Sequence, residues 1–363
     1  MQRPQWSAAL HLEALRAYRE HSQREIARVR RNLTGLSADD QASLVRKPEE
    51  QLRVMELAVE ANVKFLDQLA ELMRQGSSAA GEVQVGESQQ CSMPSSKTVQ
   101  VLLQSFTREW SKEGLEERRV CNDLLLNALG GHLGKELEKA VAAGSALPKV
   151  LCPASQLGRL PFEVRQMGYD CEACEARPFL YYGSELVSKQ CRERGLHQIQ
   201  PYALNTCNRF QAEDNVRVTP VPDVEVAEGA MPPVHFGEFL QLYNTAGACG
   251  SFDGLLTAFA LDSSLSVLRY VRTAAHVVRR GGLWANFGPL AYDAEHDEGH
   301  GQGLELSWEE IRHAVSVFFH VLEERFVESL HAADSESMMQ LQFSCIYFTA
   351  VRNDVPAQGI GEA

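Results

Sequence analysis

The chain has 363 residues, of which 44% are hydrophobic and 23% are charged, an ordinary globular composition. The length suffices for one large domain or two ordinary ones with a sizeable core. A formal net charge of -13 at pH 7 repels phosphate backbones and anionic lipid surfaces, so composition disfavours nucleic acids and membranes as partners.

Nine cysteines are scattered along the chain, and several lie inside apolar runs, as expected of reduced core thiols in an intracellular protein. The single CxxC, Cys171 to Cys174, lies on a predicted strand that points its two thiols to opposite faces, so we expect no metal site. No apolar run reaches the roughly 18 residues of a membrane span, and no apolar signal core is present. We expect a cytoplasmic protein, with the nucleus left open.

The N-terminal part of the chain is predicted to be helical. Residues 1–75 form two or three amphipathic helices, with apolar positions at helical spacing at Leu52, Met55, Leu57, Val59, Val63, Leu66 and Leu69. Residues 76–97 are rich in Gly, Ser and Gln, a composition typical of a flexible linker. Further helices follow within residues 98–146, over about 98–109 and 115–129.

Residues 147–354 alternate between strands and helices, which predicts a parallel sheet with helices on both faces, the α/β Rossmann-like class. The predicted strands are 150–152, 169–174, 234–236, 252–260, 282–287 and 343–351, and the predicted helices are 157–167, 178–190, 264–278 and 308–319. Residues 278–284 are interpreted as a helix end, a Gly-Gly turn and a strand. Ligands of such sheets bind beyond the carboxyl ends of the strands.

The first of these units, residues 149–175, predicts a strand, a turn, a helix, a second strand and then an acid, Glu175. Half of a nucleotide-binding unit has this order, in which the acid accepts hydrogen bonds from ribose hydroxyls. The turn holds Ala154 and Gln156, where a full fingerprint has glycines. Any doubly wound domain also contains this order of elements, so the stretch alone leaves the cofactor question open.

Several separated motifs resemble the carnosine N-methyltransferase family, also called N2227-like proteins. In family order they are residues 106–118 (FTREWSKEGLEER), 153–160 (PASQLGRL), 222–224 (PDV), 237–239 (GEF), 261–262 (LD), 281–284 (GGLW), 286–290 (NFGPL), 304–307 (LELS) and 337–339 (SMM). The resemblance covers most of the chain. It implies a Rossmann-like methyltransferase sheet with an N-terminal helical layer and S-adenosylmethionine (SAM) as cofactor.

The resemblance also implies the cofactor-binding residues: Arg108, Ala154, Gln156, Gly158, Glu175, Glu238 and Phe239. An arginine suits the methionine carboxylate, a carboxylate suits the two ribose hydroxyls, and an acid with an aromatic ring suits adenine. From the residues alone, Glu175 could equally be a solvated acid at a strand end, and Phe239 a core aromatic residue.

The residues that the resemblance implies for the acceptor side and catalysis are Asp262, Tyr292, Asp293, His331 and Phe343. Where the family pattern has histidine and two tyrosines, this chain has Asp293, His331 and Phe343. Two aspartates favour a cationic or imidazole-bearing acceptor, because a carboxylate that accepts one N–H helps keep the other ring nitrogen neutral.

Two functions of different class follow. The first is a SAM-dependent N-methyltransferase acting on a small imidazole- or amine-bearing molecule, such as a histidine-containing dipeptide or peptide. The second is a catalytically degenerate methyltransferase-like protein that acts as a binding or scaffold module, because Ala154 and Gln156 place β-carbons where such turns often need a positive φ. Without a basic stripe, methylation of RNA is disfavoured. A homodimer is left open.

Overall fold

The structure is a computed structural model, and it describes residues 8–78, 96–264, 266–292 and 304–357. Asp293 and most of the predicted linker lie outside these residues. Among the helices described, none combines the length and apolar character needed to cross a bilayer. In the same residues, no group of three or more His, Cys, Asp or Glu side chains is arranged to hold a metal ion.

Eleven α-helices lie in the described ranges: α1 Ala8–Thr34, α2 Ala38–Ala42, α3 Pro48–Ser78, α4 Ser96–Trp110, α5 Leu115–Arg118, α6 Leu124–Ala143, α7 Arg159–Gln166, α8 Pro178–Gln190, α9 Phe239–Tyr243, α10 Val267–Val277 and α11 Trp308–Phe318. Nine strands accompany them: β1 Lys149–Pro153, β2 Asp170–Glu175, β3 His197–Ile199, β4 Thr219–Val221, β5 Val234–Phe236, β6 Phe252–Ala258, β7 Val278–Gly288, β8 Phe319–Leu330 and β9 Gln342–Arg352. A π-helical turn, Arg119–Asp123, joins α5 to α6.

The main sheet has seven strands in the order β5-β2-β1-β6-β7-β9-β8. β5, β2, β1, β6 and β7 run parallel, whereas β9 is antiparallel to both β7 and β8. The prediction of a parallel sheet is therefore wrong for β9 and β8, and the sheet is mixed. β1 is the middle one of the five parallel strands, with β2 on one side and β6 on the other, and this is the switch point where Rossmann-like folds bind ligands.

Three strands were not predicted. Two of them, β3 and β4, form a short antiparallel pair. The third is β8, an edge strand that, in the described residues, pairs with β9 alone and exposes most of its residues, including Leu322 and Phe326. A solvated edge strand lacks a buried face, so its sequence shows no clear alternation of apolar and polar residues.

The interpretation of residues 278–284 is also corrected. α10 ends at Val277, and Val278 already belongs to β7, paired with Phe252. The register then shifts, because the next pair joins Gly254 to Leu283. Gly281 has φ +74°, and a β-carbon on Gly282 would lie 2.8 Å from the Asp253 carbonyl oxygen. The two glycines therefore form an irregularity inside a strand rather than a turn before one.

The N-terminal helices share a hydrophobic core with the sheet domain. The apolar positions predicted on α3 are buried, apart from Leu57, which is 56% exposed. One core cluster joins α1, α3 and α4 to residues of α7 and α8, and within it the rings of Phe65 and Phe106 meet edge to face at 4.9 Å. The side chain of Asn62 is fully buried and forms two 2.8 Å hydrogen bonds with the backbone of Gln200. The helical layer is thus packed onto the sheet domain.

The two thiols of the CxxC sequence lie on opposite faces of β2, as predicted. Cys171 belongs to the core cluster on one face of the sheet and Cys174 to the cluster on the other. Both are buried free cysteines.

Candidate functional site

The turn between β1 and α7 has an unusual backbone. Ala154, Gln156 and Gly158 have φ values of 50°, 55° and 85°, all in the left-handed region. This confirms the expectation that the positions of Ala154 and Gln156 need a positive φ. A non-glycine residue in this region costs on the order of 1–3 kcal/mol, so the surrounding contacts must hold the turn. Ser155 N–H, for example, donates to the Cys174 carbonyl at 3.0 Å.

Helix α4 supplies one of those contacts through Glu109. Its carboxylate oxygen Oε2 accepts the backbone N–H groups of Leu157 at 3.0 Å and Arg159 at 3.4 Å. These groups lie at the N-terminus of α7, where a helix favours negative charge. The Trp110 indole N–H donates to the Leu157 carbonyl at 3.1 Å. The helical layer therefore fixes the turn directly.

Burial makes Glu109 hard to ionise. Its side chain is almost completely buried, and this burial, with a smaller contribution from the charge of Glu175, raises the pKa of Glu109 to about 7. The charge of Arg108 and the two backbone donors act in the opposite direction. Near neutral pH the carboxyl beside the turn is consequently divided between its neutral and charged forms.

Because of the raised pKa of Glu109, we expect the free energy of unfolding to fall as the pH rises. Between the ordinary pKa of 4.5 and about 7, the folded protein retains a proton that the unfolded chain has already lost. The unfolding free energy of Glu109→Gln should therefore rise relative to that of the unchanged protein, by roughly 3 kcal/mol from about pH 5 to about pH 8. Urea unfolding of both proteins across this range measures the difference. A constant difference would contradict the assignment.

A buried ion-pair network holds the helical layer to the sheet domain. Asp223 accepts from Arg118 and from Arg159, each at 2.6 Å, through its two different oxygens. Arg159 also pairs with Glu163 at 2.7 Å, and Arg118 donates to the Arg108 carbonyl at 2.7 Å. Both guanidinium groups and the Asp223 carboxylate are buried. The network joins α4, α5 and α7 beside the turn.

A cleft opens between this network, the turn and the end of β6. It is lined by Arg108, Glu109, Glu117, Arg118, Cys121, Asn122, Cys152, Pro153, Ala154, Ser155, Gln156, Arg159, Leu160, Pro161, Ala258 and Phe259. Two buried polar atoms of its lining, Ser155 Oγ and Arg118 Nε, have no hydrogen-bond partner within the described residues. Unsatisfied buried polar atoms are costly, so they mark places where a bound group can form hydrogen bonds.

Three predicted cofactor residues, Arg108, Ala154 and Gln156, line this cleft. Gln156 joins Arg108 to a fourth, Glu175: its backbone N–H donates to Glu175 Oε2 at 2.7 Å, and its carboxamide oxygen accepts from Arg108 Nη2. Glu175 is only 2% exposed and also accepts from the backbone and guanidinium of Arg177 at 2.9–3.1 Å. Their roles toward a cofactor remain predictions.

The residues predicted to bind adenine lie beyond β5. Glu238 is exposed and precedes α9, whereas Phe239 is buried with its ring 4.7 Å from that of Tyr270 and 5.8 Å from that of Tyr243. The Phe239 ring thus belongs to an aromatic cluster of the core, the alternative that the sequence left open. Contact of either residue with adenine remains a prediction.

The acceptor-side residues fall into two groups at the same edge of the sheet. Asp262 follows β6 and accepts the Ala291 N–H at 2.8 Å, one residue before Tyr292. The Tyr292 hydroxyl donates to the Leu306 carbonyl at 2.8 Å. Burial raises the pKa of Tyr292, and the charge of Asp262 adds to this effect. Asp293 lies outside the described residues.

The second group is aromatic. The ring of His331 lies 5.2 Å from that of Phe259 and 5.6 Å from that of Phe343. Burial, together with the charge of Arg108, lowers the pKa of His331 to about 4, so the imidazole is neutral at pH 7. Its Nδ1 has no hydrogen-bond partner in the described part of the chain. His331 can therefore present a neutral ring to this end of the site.

Phe259 and Glu109 were missed as site residues. Phe259 has φ 52° immediately after β6, and its ring lies 5.5 Å from the Arg108 guanidinium. A strained non-glycine residue at a strand end is typical of functional sites, but φ cannot be read from the sequence. Glu109 lies next to Arg108 within the motif of residues 106–118, so its position in the sequence could have indicated it as a site residue.

Comparisons with solved structures give weak likenesses. The N-methyltransferase NodS from Bradyrhizobium japonicum is 10% identical with a TM-score of 0.34, covering 61% of this chain and 85% of that protein. Magnesium protoporphyrin IX methyltransferase from Synechocystis is 11% identical with a TM-score of 0.34, covering 70% of this chain and 97% of that protein. At these scores the likenesses add nothing to the fold derived above.

Comparisons of sequence are more informative. Carnosine N-methyltransferase of Mus musculus is 28% identical over 253 residues, covering 68% of this chain and 60% of the mouse protein. That of Schizosaccharomyces pombe is 27% identical over 252 residues, covering 66% of each chain. The chain thus matches about 60% of the length of its mouse relative. The sequence model described as carnosine N-methyltransferase matches residues 85–354, well over half of the chain. The chain belongs to the carnosine N-methyltransferase family.

Proposed function

We propose that this protein is a SAM-dependent N-methyltransferase that acts on a small imidazole- or amine-bearing molecule, such as a histidine-containing dipeptide or peptide. One observation carries the proposal: in a chain of this family, an arginine, a left-handed turn and a buried acid meet at the carboxyl edge of a Rossmann-like sheet. These are Arg108, the turn at residues 154–158, and Glu175.

The donor set fits an adenosyl sulfonium. Arg108 offers a cation to a carboxylate that displaces the Gln156 carboxamide, and Glu175 offers two acceptor oxygens to ribose hydroxyls. The unpartnered Ser155 Oγ and Arg118 Nε offer further hydrogen bonds within the cleft. The Arg177 side chain that now pairs with Glu175 is about half exposed, so a ribose could replace it at little cost.

When bound, SAM would supply an already activated methyl group, and the protein's part would be to orient the acceptor and control its protons. In this proposal Asp262, at the end of β6, accepts a proton or an N–H from the acceptor. The ring cluster of Phe259, His331 and Phe343 provides an aromatic wall. A neutral His331 does not repel a cationic acceptor, which supports an imidazole- or amine-bearing compound.

Calorimetry with SAM, followed by a methyl-transfer assay with carnosine, free imidazole compounds and histidine-containing peptides, tests the proposal. We expect SAM to bind and at least one of these acceptors to gain a methyl group on nitrogen. If SAM binds and no acceptor is methylated, the degenerate binding module becomes the better description. If SAM does not bind, the proposal is wrong.

Replacing Glu175 should weaken SAM binding. Loss of hydrogen bonds to a charged group costs about 1.5–3 kcal/mol, so Glu175→Ala should raise the SAM dissociation constant roughly 10- to 150-fold. Because Glu175 also accepts the Gln156 N–H, Glu175→Gln, which keeps an acceptor there, should separate damage to the turn from loss of the ribose contact. Asp170→Ala, which removes an exposed acid at the opposite end of β2, is the matched control. An unchanged affinity in Glu175→Ala would mean that the ribose is held elsewhere.

A further inference from the structure

We propose that the carboxamide of Gln156 occupies the place at Arg108 that a ligand carboxylate would take, so that the site favours adenosine thioethers and sulfoniums without an α-carboxylate over those with one. This inference rests on the proposed function, because it concerns the ligand class of the same cleft.

The geometry of Gln156 is the first observation that supports this placement of its carboxamide. The residue is pinned in the left-handed region by a 2.7 Å bond from its N–H to the buried Glu175. From that fixed backbone its carboxamide oxygen reaches Arg108 Nη2 and accepts a hydrogen bond. An amide oxygen on a planar group resembles one arm of a carboxylate, so it takes part of the recognition surface of the guanidinium.

The charges around Arg108 support it further. Glu109 Oε1 lies 3.1 Å from Arg108 Nη2, and Glu117 Oε1 lies 3.8 Å from Arg108 Nε. All three side chains are about nine-tenths buried or more. A ligand carboxylate would displace a neutral amide and join Glu117 and the partly charged Glu109 around one cation, in a place where solvent screens charge poorly. An uncharged or cationic ligand end avoids this repulsion.

The ring of Phe259 also lies beside Arg108. It lies 5.5 Å from the Arg108 guanidinium carbon, over which it forms a cation–π contact. Arg108 therefore has acids, an amide and an aromatic face as neighbours in the described structure.

Calorimetry with two thioether probes tests the inference. S-adenosylhomocysteine carries the carboxylate, and 5′-methylthioadenosine lacks it. The unchanged protein should bind 5′-methylthioadenosine at least as tightly as S-adenosylhomocysteine. Gln156→Ala, which removes the carboxamide and keeps the β-carbon, should bind S-adenosylhomocysteine at least about tenfold more tightly, with the affinity for 5′-methylthioadenosine changed less than about twofold. Gln166→Ala, at the exposed end of α7, is the matched control.

A second variant makes the test independent of loop damage. Arg108→Lys should weaken binding of S-adenosylhomocysteine more in the Gln156→Ala background than in the natural background, since in the natural protein the Gln156 carboxamide already occupies part of the guanidinium. The inference is overturned if the unchanged protein prefers S-adenosylhomocysteine and Gln156→Ala weakens that binding, while the proposed function stands. If no protein binds either probe, both the inference and the proposed function are wrong.

Discussion

A chain that lacks residues 1–95 should fail to accumulate as a soluble folded protein. Deletion to the start of α4 removes α1 and α3, which share a core cluster with Phe106, Leu157 and Phe179. Each large apolar side chain uncovered costs about 1.5–3 kcal/mol, and several are uncovered together. That loss is of the same order as the roughly 5–15 kcal/mol by which a domain is typically stable.

Soluble yield and a cooperative thermal transition of the truncated chain measure this result. Point variants on α3 give a graded version of the same test. Leu69→Ala, at a fully buried position, should lower the unfolding free energy by about 2–5 kcal/mol. Leu57→Ala, on the same helix but 56% exposed, should change it by less than about 0.5 kcal/mol. A truncated chain that melts cooperatively would show that the sheet domain is stable without the helical layer.

Asp223→Ala should lower the unfolding free energy by about 3–5 kcal/mol, because it leaves two guanidinium groups buried without their shared carboxylate. Arg118 and Arg159 each lie 2.6 Å from Asp223, and all three side chains are less than one-tenth exposed. The same change should loosen the cleft, since Arg159 begins α7 and Arg118 ends α5 immediately before the π-helical turn that lines it.

Urea unfolding measures the effect of Asp223→Ala. The matched control is Glu56→Ala, which removes the acid from an exposed pair with Arg30 that also joins two elements, α1 and α3. An exposed pair contributes about 0–1 kcal/mol, so the control should remain near the unchanged protein. Equal losses in the two variants would mean that the buried network does not anchor the helical layer.

Much of the architecture could be predicted from local pattern. The predicted bounds of β5 and α8 agree with the structure, and those of β1, β2, β6 and β9 agree within about two residues. Buried parallel strands bounded by turn residues carry a strong local signal. The edge strand β8 carries no such signal, because it is a strand through its pairing with β9 and not through a buried apolar run.

The site could be predicted in part for a related reason. Because the carboxyl ends of parallel strands meet at one edge, Glu175 and Asp262 could be placed together once the strands were known. The three-ring contact of Phe259, His331 and Phe343 depends instead on the pairing of β8 with β9, which brings distant segments to the same edge.

The sequence by itself determined the family, the order of the strands β1, β2, β5, β6, β7 and β9, and the positions where the turn needs a positive φ, because motifs and periodicity lie in neighbouring residues. Only the tertiary structure decided that Glu109 lies at the N-terminus of α7 and that Gln156 joins Arg108 to Glu175. These contacts join residues from separate elements. Their pairing depends on how the helical layer packs on the sheet, which no local pattern encodes.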